Sequence, residues 1–422
     1  MYQAPRGTAD ILPREQAYWR FVEQKAAVVC QLYGYERIDV PAFEDSGLFS
    51  HSVGEGTDIV EKEMYTFKDK GGNKITLIPE GTASICRAYV EHGLHNLPQP
   101  VKLYYIASVF RYERPQAGRY RQHHQFGYEA IGEDNPALDA EVIGMAWQFF
   151  HSLSLQRLSL SLNSIGCKEC RPSYLTVLKD YYANHADKLC SDCKVRLVRN
   201  PLRLLDCKRA SCQQVADSAP RSIDYLCRQC DEHFNQLKRY LSLLDIPFEI
   251  NHRLVRGLDY YTRTVFEIQP EGGGAQSTLG GGGRYDDLIE ELGGKPTPAL
   301  GFAAGIERII LNLKKQGIPI PPLPRPQVFI AHMGNDAKVE AVKLASRLRQ
   351  AGIGVIETVG NKSLKAQLRQ ANTLGVHHVV IIGDQEVKTG TVILRDMTSA
   401  QQEAVPLTQL HKLLKQLPQY KD

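Results

Sequence analysis

The sequence predicts an α+β protein built on an antiparallel sheet, followed by a smaller α/β domain. Three observations carry this. Short alternating apolar runs follow one another in hairpin-like order with helices between, not in the strict strand–helix alternation of a parallel sheet. Five prolines between Pro319 and Pro326 then form a stiff, extended linker, beyond which the pattern becomes strand–helix–strand–helix–strand. A cysteine-rich, helix-containing insertion interrupts the first region between residues 164 and 246. At 422 residues the chain exceeds what one core serves. The expected division is 1–318 (containing 164–246), a linker at 319–326, and 327–422.

A helix over 14–32 gathers Tyr18, Phe21, Val22, Ala26 and Val29 on one face, and Gly34 ends it. Residues 35–40 alternate as a strand that stops at Pro41, in keeping with proline at strand ends. Further strands are expected at 74–78, 101–106, 125–131 and 157–163, with a helix over 137–151. After the insertion, 264–268 and 300–304 read as strands, and a helix begins near Ile306. In the last region, strands at 328–332, 354–357 and 378–382 alternate with helices at 336–350 and 362–373, which predicts a largely parallel sheet.

Apolar content of 43% and charged content of 23% are those of an ordinary globular protein. The net charge of +4 is too mild to announce a nucleic-acid binder. Its distribution says more, because Pro326 to Asp422 holds 12 Lys+Arg against 8 Asp+Glu, the whole of the excess. The segment Met1 to Gly7 has no signal-type apolar core, and no run reaches membrane-spanning length, so a cytoplasmic protein without a membrane partner is expected. Disulfides are then not expected. Cys167-x-x-Cys170, Cys190-x-x-Cys193, Cys207-x4-Cys212 and Cys227-x-x-Cys230 have short paired spacings that could fill two four-sulfur Zn²⁺ sites. Reduced thiols packed as small hydrophobes fit the same spacing. Cys30 and Cys86 stand alone as core candidates.

Three distant segments each set an arginine beside apolar, β-rich sequence: Phe110-Arg-Tyr-Glu-Arg114, Val255-Arg-Gly-Leu-Asp-Tyr-Tyr261 and Gly301-Phe-Ala-Ala-Gly-Ile-Glu-Arg308. A guanidinium fork suits phosphate or carboxylate, and three from different segments suggest one polyanion gripped on several sides. That chemistry points to a nucleoside triphosphate bound without a P-loop. Taken singly, Arg111 could equally be a surface ion pair, Arg256 a structural partner of Asp259, and Arg308 a helix-surface side chain. Gly280-Gly-Gly-Gly-Arg-Tyr-Asp286 lacks dinucleotide-binding spacing and reads as a close-packed glycine loop.

The run Arg256-Gly-Leu-Asp-Tyr-Tyr-Thr-Arg-Thr-Val-Phe-Glu267 closely resembles a signature of the histidyl-tRNA synthetase family, and the likeness extends from Arg6-Gly-Thr-Ala-Asp10 to the C-terminus. The resemblance implies a class II synthetase catalytic domain and a C-terminal anticodon-binding domain. It implies activation of L-histidine by ATP, with Mg²⁺ on the triphosphate, and transfer of the acyl group to the 3′ end of tRNA(His). The helix–strand–proline unit ending at Pro41 is similar to motif 1 and implies a homodimer. Phe110 to Glu129 is similar to motif 2, which puts Arg111 on the α-phosphate and Glu113 on the adenine edge. Arg308 matches the motif 3 arginine on the γ-phosphate. Arg256 matches an arginine set against the α-phosphate and the amino-acid carboxylate. Glu80, Gly81 and Thr82 match the segment holding the α-amino group, helped by Gln125. Glu129 and Tyr261 match the imidazole readers, Tyr260 lines the pocket, and 277–286 resembles a second histidine-specific segment. The insertion, which departs from the general family pattern, is expected to brace the acceptor arm. A non-catalytic histidine- or tRNA-sensing paralogue is the alternative, but such proteins tend to lose the phosphate arginines or the last domain.

Overall fold

The computed structural model describes residues 2–417 except 55–56, 58, 115–117, 273–277 and 361. The chain divides into two compact units, Met1–Pro321 and Pro322–Asp422.

Eight strands form the main sheet of the first unit: β1 (Glu36–Arg37), β2 (Val101–Phe110), β3 (Gln122–Ile131), β4 (Leu158–Ser164), β5 (Glu249–Ile250), β6 (Thr262–Pro270), β7 (Gly280–Arg284) and β8 (Ala299–Gly305). Their order is β1-β2-β3-β8-β7-β6-β4-β5. The five inner pairings are antiparallel, and only the two-residue edge strands pair parallel. The expected strand at 35–40 shrinks to β1, because Pro41 lies just beyond and carries no N–H to extend the ladder. A small antiparallel sheet of Phe43–Asp45, Thr66–Lys68 and Lys74–Leu77 stands apart.

Alternation along β3 separates two jobs. Phe126, Tyr128 and Ala130 enter a core with helices Gln16–Leu32, Pro136–Ser152 and Ile306–Lys315, whereas Gln125 and Glu129 line a cavity on the other face. The core is aromatic at its centre: Phe302 stacks on Phe266 at 6.1 Å and packs against Tyr128 at 5.1 Å. Truncating such a ring to alanine costs about 3–5 kcal/mol, so this packing sets the sheet's position under the cavity.

The expected glycine loop is instead β7, a buried central strand. Glycine is required there by close approach. A Cβ on Gly282 would lie 1.9 Å from the Gly301 carbonyl oxygen, and one on Gly283 would lie 2.4 Å from that of Thr264. Arg284 ends the strand fully buried, donating to Asp139 through Nη2 at 2.6 Å and Nε at 2.8 Å. Asp139 also meets His233 at 3.1 Å, so one carboxylate ties β7, helix Pro136–Ser152 and the insertion together. Burial opposes the charged form of Asp139, but its pairing with Arg284 and its hydrogen bond to His233 outweigh that and hold it below its ordinary pKa.

The insertion carries helices Arg171–Ala183, Ser191–Arg199, Ala210–Asp217 and Arg228–Leu243. The last buries Phe234, Leu237 and Leu241 in the main core, so the insertion grows out of that core.

The second unit has a five-stranded sheet in the order Val355–Glu357, Val328–His332, His378–Ile382, Thr391–Asp396, Gln402–Pro406. The first three strands are parallel, but the last two add an antiparallel hairpin, so the sheet is mixed and not largely parallel. The hairpin escaped the sequence reading because Gln402–Pro406 is mostly exposed and shows no apolar alternation. Val328–His332 and His378–Ile382 are buried throughout, as strands covered on both faces must be. Separate core clusters fill each unit. Among the described residues no helix is long and apolar enough to cross a membrane.

Candidate active site

One cavity of about 490 Å³ lies over β3, β8, β7 and β6 on the face opposite the helices. Arg111, Glu113, Arg256 and Arg308 all line it, together with Glu80, Thr82, Gln125, Glu129, Tyr260 and Tyr261. Residues spread from 80 to 308 therefore meet in one place.

Glycines make that meeting possible. In the ladder Gly301 sits opposite Glu129 and Gly281 opposite Glu267. A Cβ on Gly301 would fall 1.7 Å from Glu129 Oε2, and one on Gly281 would fall 2.8 Å from Arg256 Nη1. Each glycine clears floor space for a charged neighbour. Gly81 is similarly forced, since a Cβ there would lie 2.3 Å from the Tyr105 ring.

Glu80 is buried at the N-terminus of helix Thr82–Glu91, accepting from Thr82 N and Ala83 N, each at 2.8 Å, and from Tyr260 Oη at 3.3 Å. Gln125 Oε1 accepts from Gly81 N at 3.2 Å and Tyr105 Oη at 3.1 Å. Glu129 accepts from Thr82 Oγ1 at 2.8 Å and Tyr285 Oη at 2.5 Å. Burial pushes the Glu129 carboxyl up to about 8, with the Glu80 charge adding to the effect, and burial also raises Glu80. Two crowded carboxyls of this kind favour a ligand that brings N–H donors or positive charge.

The other half of the cavity is cationic. Arg111 Nε donates to Pro79 O at 2.7 Å. Arg308 donates to Gly118 O at 3.0 Å and Thr278 O at 3.1 Å. Glu113 faces Arg119 at 3.0 Å. Arg256 is paired with Glu267, not with Asp259, which accepts from Asn200 at 2.5 Å. Its guanidinium lies 5.9 Å from the Tyr261 ring centroid, and the Glu267 charge holds it firmly protonated against burial. Buried atoms without a hydrogen-bond partner among the described residues include Arg256 Nε and His123 Nδ1, both from cavity-lining residues. Orphaned polar atoms gathered in one cleft mark a ligand site.

Sequence reasoning missed Glu267, His123, Tyr285 and the pair Asp206–Lys208, all of which line the cavity. Strand alternation could have found two of them: His123 shares the face of Gln125 and Glu129, and Glu267 points opposite to Phe266 and Ile268. Burial, and then the nearby Arg111 and Arg308 charges, push the His123 imidazole down to about 3, so it is neutral. Pro115 to Ala117, within the segment similar to motif 2, lie outside the described residues, as does Ser277.

Comparison with known proteins adds an independent finding. The histidyl-tRNA synthetase family model matches residues 7–169 and 185–309, and an anticodon binding domain model matches 327–417. A histidine–tRNA ligase of Dehalococcoides mccartyi is 65% identical over 410 residues, covering 97% of this chain and 98% of the relative. One of Desulforamulus reducens is 52% identical over 411 residues, with 97% and 98% covered. The crystal structure of apo histidyl-tRNA synthetase from S. aureus is similar at a TM-score of 0.83 and 39% identity, covering 99% of this chain and 100% of that one.

Proposed function

We propose that this chain, which belongs to the histidyl-tRNA synthetase family, is a histidine–tRNA ligase. The observation that carries the reading is the convergence of three arginines and two buried carboxyls in one cavity.

In the first step a carboxylate oxygen of histidine attacks the α-phosphorus of ATP. The bond to the β-phosphate oxygen breaks and pyrophosphate leaves. Arg256, fixed by Glu267, is placed to stabilise charge that grows on the α-phosphate, and its fork is preorganised. Arg111 and Arg308 hold the α- and γ-phosphates, and Glu113 reads the adenine. Glu80, Gly81, Thr82 and Gln125 form the α-amino site, and Glu129, Tyr260 and Tyr261 surround the imidazole. A site built from buried polar partners rejects amino acids that leave those partners unpaired. Mg²⁺ accompanies ATP as part of the substrate, neutralising and bending the triphosphate. In the second step a terminal ribose hydroxyl of tRNA(His) attacks the acyl carbon and AMP leaves.

The working protein is a cytoplasmic homodimer joined through helix Gln16–Leu32 and the strand after it. The family-matched region 327–417 recognises the anticodon. The domain division is 1–318 with its insertion, a linker at 319–326, and 327–422. A sensing paralogue has no observation in its favour, since the phosphate arginines line the cavity and the last domain is present. Pyrophosphate exchange with each of the twenty amino acids tests the reading. Exchange driven by histidine alone is expected, and no exchange with histidine would refute it.

A further inference from the structure

The eight cysteine sulfurs of the insertion gather into two groups that the cavity chemistry does not use. Cys167, Cys170, Cys227 and Cys230 form one group and Cys190, Cys193, Cys207 and Cys212 the other, the four sulfurs of each lying within 4.8 Å of one another. The pairs nest, first with fourth and second with third. Sulfurs of Cys167 and Cys170 are 3.8 Å apart, and those of Cys167 and Cys227, and of Cys190 and Cys207, are 3.9 Å apart. These separations are nearly twice a disulfide bond of about 2.05 Å. They match the edge, about 3.8 Å, of a tetrahedron whose corners lie about 2.3 Å from a central zinc. In each group one sulfur also accepts a backbone N–H at 3.3 Å: Cys170 from Cys167 N and Cys212 from Cys190 N. Such donors suit a thiolate better than a thiol.

One segment of the chain contacts residues near both groups, which gives them a purpose. Residues 251–261 form no helix or strand, yet they carry Arg256, Tyr260 and Tyr261. Scattered backbone and side-chain hydrogen bonds hold them in place of a strand ladder. On one side Arg171, next to Cys170, donates to Tyr261 O at 2.5 Å, and Arg263 N donates to Gly166 O at 2.9 Å beside Cys167. On the other side Asn200 donates to Asp259 at 2.5 Å, in the stretch between Cys193 and Cys207. Cys207 itself is flanked by Asp206 and Lys208, both in the cavity wall.

We propose that the two groups are four-thiolate zinc sites that hold the segment bearing Arg256, Tyr260 and Tyr261 in place from both sides. The cysteines are thus positioning residues. The metal assignment stands on the sulfur geometry, while its bearing on catalysis rests on the ligase reading above.

The test begins with metal analysis of full-length protein purified without chelator, and with the absorption spectrum after Co²⁺ exchange. Two zinc ions per chain and tetrahedral thiolate–Co²⁺ bands are expected; fewer than two zinc ions overturns the proposal. Cys193→Ser and Cys230→Ser should each retain one zinc. In pyrophosphate exchange normalised to titrated active sites, each should raise the KM for histidine by about 10-fold or more. Cys193→His, which restores a nitrogen ligand, should recover both zinc and KM. Loss of zinc with an unchanged KM overturns the positioning role. If the serine variants are insoluble, hydrogen exchange of residues 251–263 in the intact protein before and after chelation decides: faster exchange is expected, and unchanged exchange overturns the role. A wild-type protein inactive with histidine would refute the ligase reading, and the metal content and Co²⁺ spectrum would still judge the zinc sites.

Discussion

Replacing Arg256 with alanine should lower the rate constant of adenylate formation by about 10²–10³-fold. The side chain is held in advance of reaction: it is paired with Glu267, lies by the Tyr261 ring, and occupies room that Gly281 leaves open. A donor preorganised in this way toward growing charge contributes about 2.7–4 kcal/mol, and about 1.36 kcal/mol corresponds to each tenfold. The substitution has a second effect that must be separated. It strands Glu267, whose remaining hydrogen-bond partner among the described residues is Thr278 Oγ1 at 3.1 Å. A bare carboxylate about 6 Å from a phosphate charge would repel it by about 3 kcal/mol at an effective dielectric of about 20. Weakened ATP binding in Arg256→Ala is therefore expected to come from Glu267. The double variant Arg256→Ala/Glu267→Gln should regain ATP affinity and remain slow. Pyrophosphate exchange and rapid-quench measurements at saturating histidine and ATP separate the two effects. A double variant with a rate constant within tenfold of the wild type would refute the charge-stabilising role of Arg256.

Two further predictions test other parts of the molecule. Burial raises Glu129 from its ordinary 4.5 to about 8, so the folded apo protein keeps a proton that the unfolded chain releases. This group's contribution to stability is full below about pH 4.5 and is lost as pH rises toward 8, by up to about 1.4 kcal/mol per pH unit. Glu129→Gln cannot titrate, so its melting temperature relative to wild type should climb between pH 5 and 8; a constant gap would contradict the burial argument. Protein ending at Pro321 should fold, because its core clusters are complete without the second unit, and as a dimer it should still form histidyl-adenylate. It should bind tRNA(His) more weakly and with a shallower salt dependence than the full chain. Equal affinity of the two proteins would remove the anticodon-binding role from the second unit.

Much of this protein is legible in the chain. Helix 14–32 and the long strands were readable because one face of each is apolar at a fixed period, and burial of that face leaves little choice of structure. Arg111, Arg256 and Arg308 stood out because rigid, β-rich sequence surrounds each of them, and all three line the one cavity. Short exposed strands such as Thr66–Lys68 were not readable, since they carry no alternating burial. The glycine run deceived for a different reason: glycine has low strand propensity, and only the neighbouring strands show that nothing larger fits.

The sequence by itself determined the long helices and strands and the faces they bury, and it singled out arginines and carboxyls that meet in the cavity. Tertiary structure alone decided that Arg256 pairs with Glu267 and not Asp259, that Gly301 faces Glu129, and that the cysteine pairs nest. The reason is physical. Period and propensity are properties of a few consecutive residues, whereas pairing is a distance between segments. Cys167 and Cys230 are brought within 4.8 Å only after the intervening helices have packed, and no local pattern records that distance.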